Sequence, residues 1–177
     1  MLQRMIVYAG NIGEGQGLEK IVPSAARLLG KEYKFLIIGD GGTKQKLKEE
    51  ILKQKISNVE LKDPVARSEL KKIYKEADFL FLHLNNYKAF EKMLPSKIFE
   101  LAAYDKPIIA GISGYAHLFI KQNIPNSILF SPCDVDNFVN QLKNYLYKTE
   151  VRSDFIEHFK RSNINKNMAQ SIIQLIQ

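Results

Sequence analysis

Residues 95–111 have the sequence Pro-Ser-Lys-Ile-Phe-Glu-Leu-Ala-Ala-Tyr-Asp-Lys-Pro-Ile-Ile-Ala-Gly. Pro95 and Ser96 favour the start of a helix, with Ser96 as its N-cap. We expect this helix to stop at Asp105, because Asp tolerates the left-handed conformation that ends helices and Pro107 forbids continuation. The apolar residues that follow Pro107 predict a short buried strand. The stretch therefore predicts a helix that leads directly into a sheet.

The start of this helix has the character of an anion site. Unpaired amides and the helix dipole favour negative charge at a helix N-terminus. Lys97 and Glu100 fall in the first turn. A lysine there suits phosphate charge, and a glutamate can accept hydrogen bonds from hydroxyl groups. The helix start is thus predicted to bind a ligand that carries both groups.

Apolar runs that alternate with helical patterns extend on both sides of this stretch. The predicted strands are residues 5–9, 34–39, 59–61, 78–84, 107–110 and 127–130. Strands that are apolar on both faces and alternate with helices indicate an α/β fold with a doubly wound, Rossmann-like, six-stranded parallel sheet. We expect one domain over residues 1–177, in which residues 148–177 form a helical tail. A ligand of such a sheet binds outside the carboxyl ends of the strands.

Helical periodicity predicts several inner faces and caps. The first helix is expected to turn Leu18, Ile21, Val22, Ala25, Leu28 and Leu29 inward, and the lysine-rich second helix Leu47, Ile51 and Leu52. Ser68 is predicted to cap the third helix. A long amphipathic helix is expected after the sixth strand, with an apolar stripe that extends to Leu146. In the tail, the predicted helices carry Val151, Phe155, Phe159, Met168 and Ile172.

Pro-Ser-Lys-Ile-Phe-Glu at residues 95–100 resembles the signature helix in the C-terminal domain of group 1 (family 4) GT-B glycosyltransferases. The resemblance covers residues 6–142 and implies the C-terminal half of a GT-B fold, with extra C-terminal helices. It implies that Glu100 binds the ribose hydroxyls of a nucleotide-sugar donor. It also implies that the helix start, with Ser96 and Lys97, faces the donor diphosphate.

The glycine-rich loop at residues 10–17 aligns with the same family but departs from it. The family has Arg and Lys where this chain has Asn11 and Gln16, so two charges that neutralise the diphosphate are replaced by neutral groups. The resemblance nevertheless places Asn11, Gly13 and Gln16 beside the phosphates. Lys97 is our candidate for part of the missing charge. Many members also have a Glu that contacts the donor sugar at the position of Lys92, so the donor sugar stays open.

Two other segments align with donor-binding parts of the family. Residues 39–42 resemble its Gly-Asp-Gly turn, which implies that Gly41 lies beside the donor. Residues 63–65 align with the segment whose backbone receives the nucleotide base, which implies a role for Val65. Both are common turn sequences, so tight packing alone would also account for them.

The resemblance implies a domain that binds a nucleotide-sugar donor, a UDP-sugar. It further implies a retaining glycosyltransferase that builds a surface polysaccharide such as capsule or lipopolysaccharide. In this family the acceptor, a glycan or lipid-linked glycan, is bound mainly by an N-terminal domain. We therefore expect this chain alone to bind donor without turnover and to contain no catalytic residue, metal site or cofactor. It would share a cytoplasmic location, with peripheral contact to the inner face of the membrane.

Composition sets further bounds. The chain has 177 residues and a net charge of +7, which favours anionic partners, although abundant lysine on solvated helix faces explains much of it. A lone cysteine, Cys133, excludes an internal disulfide. Neither a signal peptide nor a long apolar run is present in the sequence. No motif indicates that nucleic acid is the partner.

The residues themselves leave two other functions open. A sugar-nucleotide epimerase on the same fold would need His and carboxylate groups in the cleft, and no such group stands out. His83 is predicted to be a core histidine, and His117 is a weak candidate near the site. A non-catalytic module that binds partners through basic faces would need aromatic residues among its lysines, as in residues 87–92.

Overall fold

The computed structural model of the chain describes residues 3–176. Its centre is a sheet of six parallel strands in the order β3-β2-β1-β4-β5-β6. The strands are β1 (Arg4–Asn11), β2 (Tyr33–Asp40), β3 (Val59–Lys62), β4 (Phe79–His83), β5 (Ile108–Gly111) and β6 (Ser127–Phe130). The predicted doubly wound sheet is confirmed. The predicted domain also includes residues 1, 2 and 177, which lie outside the described residues.

Eight α-helices are described around the sheet in residues 3–176. They are α1 (Leu18–Leu29), α2 (Lys44–Lys53), α3 (Arg67–Glu76), α4 (Lys97–Ala102), α5 (Gly114–Asn123), α6 (Val135–Lys143), α7 (Ser153–Phe159) and α8 (Arg161–Ile176). Two 3₁₀ helices occupy Gly30–Glu32 and Lys88–Lys92. Helix α5 was not predicted. Within the described residues, none of the helices combines the length and the apolar character needed to cross a bilayer.

The strands are apolar on both sides because helices cover both faces of the sheet. In β4, Phe79 and Phe81 pack into one core and Leu80 and Leu82 into the other. The first core lies under α1 and α6, and the second contains Ile98 of α4 and residues of α5. Burial of the entire β4 segment explains its continuous apolar sequence.

Several local predictions were wrong at the helix ends. Helix α4 ends at Ala102, and Asp105 is not among the residues with a left-handed backbone. Ser96 has helical angles and makes no side-chain cap, because the first turn is closed by backbone bonds instead. Helix α3 begins at Arg67 with Ala66 as its N-cap, so Ser68 lies inside the helix.

Some apolar residues predicted to be inside are exposed. Leu28 and Leu52 lie at the solvent edges of their helices, and Leu146 lies beyond the end of α6. In the tail, for which helices but no buried face were predicted, Met168 and Ile172 lie exposed on α8, and Val151 lies exposed before α7. The periodic pattern predicted which face of each helix is buried, but it made the buried face wider than it is in the structure.

The strand order places a topological switch point between β1 and β4. From β1 the chain continues to β2 on one side, whereas β4 pairs with β1 on the other. A crevice therefore opens outside the carboxyl ends of these two strands. The glycine-rich loop follows β1, and the loop that leads to α4 follows β4. Both reach the same crevice.

Candidate functional site

The glycine-rich loop after β1 is held by a histidine at the end of β4. His83 Nδ1 lies 2.6 Å from the carbonyl oxygen of Gln16, and His83 Nε2 accepts a 3.0 Å bond from the Cys133 amide. Since an amide can only donate, the ring proton resides on Nδ1 and the imidazole is neutral. Burial lowers the pKa of His83 to about 4. His83 is thus a core histidine, as predicted, and it also anchors the loop.

Asn85 anchors the same loop two residues further on. Its Nδ2 donates to the Glu14 carbonyl at 2.8 Å, and its amide donates to the Gly15 carbonyl at 2.8 Å. Its Oδ1 accepts from Lys20 Nζ at 3.0 Å. The residue is 2% exposed, so these bonds are largely shielded from water. The backbone of the loop is therefore fixed from the β4 side.

Three of the predicted site residues contact one another inside this loop. Gln16 Oε1 accepts a 2.9 Å bond from Asn11 Nδ2 and a 3.2 Å bond from the Gly13 amide. The Gly13 N–H is a donor, which fixes the oxygen end of the Gln16 carboxamide at that place. The amide that was expected to face a phosphate is occupied by the protein's own side chain.

The ends of β1 and β2 approach each other too closely for side chains. A Cβ atom on Gly39 would lie 1.8 Å from the Gly10 carbonyl oxygen, and one on Gly41 would lie 2.6 Å from Asn11 Oδ1. Both glycines have positive φ angles, +151° and +153°. Only glycine adopts this geometry without strain. Gly41 thus lies against Asn11 in a tight turn. Its expected place beside the donor stays a prediction.

The charged residues of α4 form an ion pair on the same helix. Lys97 Nζ lies 2.8 Å from Glu100 Oε2, and the two side chains are 30% and 39% exposed. The Ile98 and Phe99 amides donate to the carbonyl oxygens of Pro95 and Ser96, each at 3.1 Å. The helix start is therefore less open than expected, while the Glu100 carboxylate faces outward.

Two cavities meet around α4. A cavity of about 340 Å³ is lined by Asn11, Gly39, Val65 and Lys97, at the carboxyl ends of β1 and β2. A cavity of about 1240 Å³ is lined by Val65, Ser96 and Glu100. Val65 lines both cavities, and the Lys97–Glu100 pair joins them. Five predicted site residues are thereby brought together: Asn11, Val65, Ser96, Lys97 and Glu100.

The larger cavity combines positive charge with aromatic surface. Its other lining residues include Arg67, Lys71, Phe99, Tyr104, Phe159 and Arg161. The cations favour an anionic ligand, and the rings offer apolar surface for a flat group.

Other predicted residues lie apart from these two cavities. Gly41 lines a third cavity of about 600 Å³, beside Lys44 and Asp63, which form a 2.6 Å ion pair. Gly13 and Gln16 line none of the three cavities. They are connected to Asn11, which lines the smallest cavity, through the hydrogen bonds of Gln16 Oε1. Lys92 is exposed on the 3₁₀ helix, and His117 is half-buried on α5.

The family model described as "Glycosyl transferases group 1" matches residues 2–162. The chain belongs to this family. Its six-stranded sheet with additional C-terminal helices matches the C-terminal domains of the GT-B fold. The specific Pro-Ser-Lys-Ile-Phe-Glu subgroup stays a prediction.

Curated and solved relatives support the same placement for this group 1 domain. It is 25% identical over 173 residues to "Putative colanic acid biosynthesis glycosyl transferase WcaI" of Escherichia coli K12, covering 97% of this chain and 42% of that protein. The chain therefore spans less than half of this curated relative.

Solved structures show the likeness at the level of the fold. Anabaena Alr3699/HepE in complex with UDP and glucose matches with a TM-score of 0.75 at 14% identity, over 96% of this chain and 48% of that chain. The apo lipopolysaccharide outer core galactosyltransferase WaaB matches with a TM-score of 0.73 at 20% identity, over 98% of this chain and 50% of that chain. The group 1 domain thus corresponds to about half of each structure.

The interactions of Asn85 and Cys133 were missed by sequence reasoning. The available signal was the appearance of polar residues, His83 and Asn85, at and just after the end of the apolar strand β4. Side chains at the carboxyl end of a central parallel strand face the crevice and its loops. Their partners lie 48 to 71 positions away in the chain, so a local pattern could not identify them.

Proposed function

We propose that this group 1 domain binds the nucleotide-sugar donor, a UDP-sugar, of a glycosyltransferase for surface polysaccharide. The observation that carries the proposal is the position of Glu100. Its carboxylate is 39% exposed and lies beside Lys97, between a cavity at the strand ends and a larger aromatic and cationic cavity. The carboxylate is therefore accessible to a ligand that spans both.

A nucleotide-sugar has the chemistry that such an arrangement requires. A carboxylate accepts two hydrogen bonds from neighbouring ribose hydroxyls through its two oxygens. On one side of Glu100, Lys97 and Asn11 offer an ammonium and a carboxamide to the diphosphate. On the other side, Val65 lines the cavity where the base would lie. Ser96 lies at the rim between them.

The glycine-rich loop would complete the phosphate region. Asn11, Gly13 and Gln16 lie in this loop, whose backbone is held by His83 and Asn85 at residues 14–16. Fixed donors stabilise charge without reorganisation during a reaction. Gly41 supports this region from the neighbouring turn by packing against Asn11.

The domain's share of the reaction is orientation of the donor and stabilisation of the leaving diphosphate. The acceptor, a glycan or a lipid-linked glycan, would be bound by an N-terminal domain, since the chain covers 42% of WcaI. WcaI and WaaB are described as transferases of colanic acid and of lipopolysaccharide outer core. By this analogy the transfer belongs to a surface glycan, and the chain alone binds donor without turnover. We propose a retaining transfer on the same analogy.

The UDP moiety is proposed from a fold relative. HepE is described in complex with UDP and glucose, and it matches this chain over 96% of its length. The large cavity beside Glu100 accommodates a base with ribose. The two aligned loop positions are neutral, and Lys97 is a cation that lines the cavity at the strand ends. We therefore expect UDP binding to depend weakly on salt.

A titration of ¹⁵N-labelled protein with UDP tests the proposal. Amide signals of Gly13, Lys97 and Glu100 should shift together and saturate at one affinity, and GDP should bind more weakly. Glu91 is exposed, so the variant Glu91→Ala serves as a control and should bind UDP as the unmodified chain does. A specific site would be refuted if UDP shifted amide signals on other surfaces and not these three. It would also be refuted if all nucleotides caused equal shifts that disappear in high salt.

A further inference from the structure

Gln16 is fixed at its backbone and free to turn at its side chain. Its amide donates to the Gly13 carbonyl at 3.0 Å, and its own carbonyl accepts from His83 at 2.6 Å. The side chain is half-buried, and within residues 3–176 its hydrogen bonds are those to Asn11 and Gly13. Any rearrangement on ligand binding must therefore begin with the Gln16 carboxamide and not with the loop.

That carboxamide occupies the space above Gly13. A Cβ atom on Gly13 would lie 2.6 Å from Asn11 Nδ2 and 3.2 Å from Gln16 Oε1. The oxygen lies between two N–H donors, the position that an oxygen of an anion would take. An anion can reach the Gly13 N–H, and the Asn11 N–H that is bonded to Gln16, only after the Gln16 side chain leaves them.

We propose that Gln16 occludes the phosphate region of the unliganded domain and thereby sets its affinity for the donor diphosphate. This rests on the proposed function, because it assumes that the loop receives the phosphates. On binding, the carboxamide turns about its side-chain bonds, and the Gly13 N–H and Asn11 Nδ2 pass to the phosphoryl oxygens. No covalent bond changes.

The energetic consequence follows from the exchange of partners. Two hydrogen bonds to a neutral oxygen must be given up before the same donors can bind the anion, and this lowers the affinity. If the side chain is shortened, the donors are free at the outset. If the carboxamide becomes a carboxylate of the same shape, its bonds strengthen and its charge repels the anion.

Gln16→Ala and Gln16→Glu test this in opposite directions, with inorganic pyrophosphate as the probe. Binding is followed at the Gly13 amide signal, so that pyrophosphate bound elsewhere does not count. Gln16→Ala should bind about tenfold more tightly than the unmodified chain, and Gln16→Glu at least about tenfold more weakly. Gln141→Glu, on the exposed side of α6, adds the same charge away from the loop and should bind as the unmodified chain does. Equal melting temperatures would verify that all variants are folded.

The outcomes separate this inference from the proposed function. If Gln16→Ala gains no affinity, or if pyrophosphate leaves the Gly13 signal unchanged in every variant, the occlusion is refuted. UDP binding that depends on Glu100 would still support the proposed function. If the affinities rank as expected but UDP does not bind, the occlusion is supported and the nucleotide assignment fails.

Discussion

Lys97 Nζ lies 2.8 Å from Glu100 Oε2, one turn apart on the same short helix. The cation proposed for the phosphates and the carboxylate proposed for the ribose therefore neutralise each other in the unliganded domain. Both side chains are about a third exposed, so water weakens their attraction. A ligand that carries both anionic and hydroxyl groups could replace this pair at little cost.

Lys97→Met should hardly change stability. Exposed ion pairs contribute little, and we expect the free energy of unfolding to change by less than about 1 kcal/mol. Lys148→Met is the matched control, because Lys148 forms a 2.7 Å pair with Glu150 on the surface. Urea denaturation should give similar small changes for both, whereas only Lys97→Met should weaken UDP. A large loss of stability at Lys97 alone would show a structural role instead.

Gly39→Ala should destabilise the domain strongly. The new Cβ would meet the Gly10 carbonyl oxygen at 1.8 Å with a φ of +151°, so the two strand ends would have to separate. We expect a loss of more than about 2 kcal/mol in urea denaturation. Gly42→Ala, where a Cβ meets nothing within 4 Å, should be close to neutral. Equal effects of the two variants would argue against this approach of β1 and β2.

Arg152→Met should also destabilise the domain. Arg152 is buried and donates to the carbonyl oxygens of Pro125, Tyr104, Lys106 and Asn126, which lie just before β5 and β6. Its loss leaves several carbonyls without partners, for which we expect about 3 kcal/mol in urea denaturation.

The exposed arginine of α8 provides the control for this substitution. Arg161→Met changes the net charge equally and should leave the free energy of unfolding nearly unchanged. A small effect at Arg152 would mean that these carbonyls find other partners.

His83 should make the stability depend on pH. Burial lowers its pKa to about 4 in the folded chain, from the ordinary histidine value of 6.5. As the pH falls below 6.5 the unfolded chain takes up a proton that the folded chain refuses. Stability should thus decrease between pH 6.5 and 4 by up to about 3 kcal/mol and then level off for this group.

His83→Phe isolates the effect, because a phenyl ring does not titrate and can keep the stacking on Phe81 and Phe130. It loses two hydrogen bonds, so the slopes with pH are compared and not the absolute stabilities. The variant should show a shallower decrease over this range in chemical denaturation. His158→Gln, at an exposed position, should retain the slope. Identical slopes for His83→Phe and the unmodified chain would contradict the buried neutral ring.

The sheet was predictable because its signals are local. Parallel strands covered on both faces need continuous apolar runs, and all six predicted runs form strands, although most ends moved by one or two residues. Helix α5 was missed because its inward residues, Ala116, Phe119 and Ile120, span little more than one turn. Such a short pattern does not distinguish a helix from a loop.

The candidate site residues could be proposed from the sequence, and their binding of a donor stays a prediction. Their bonds to one another could not be predicted. The resemblance located Glu100 and Lys97, and the fold brings Asn11 and Val65 to the same crevice. The ion pair, the occluded Gly13 amide and the anchoring by His83 depend on side-chain positions in three dimensions. The spacing of residues in the sequence does not predict these contacts.

The affinity of Glu100→Ala for UDP and for 2′-deoxy-UDP tests the central claim most directly. Removal of the carboxylate frees Lys97, which affects both ligands alike, so the difference between them isolates the ribose contact. We predict that calorimetry will show UDP weakened by about tenfold or more and 2′-deoxy-UDP weakened much less. Equal losses for the two ligands, or none for either, would contradict a carboxylate that binds the ribose.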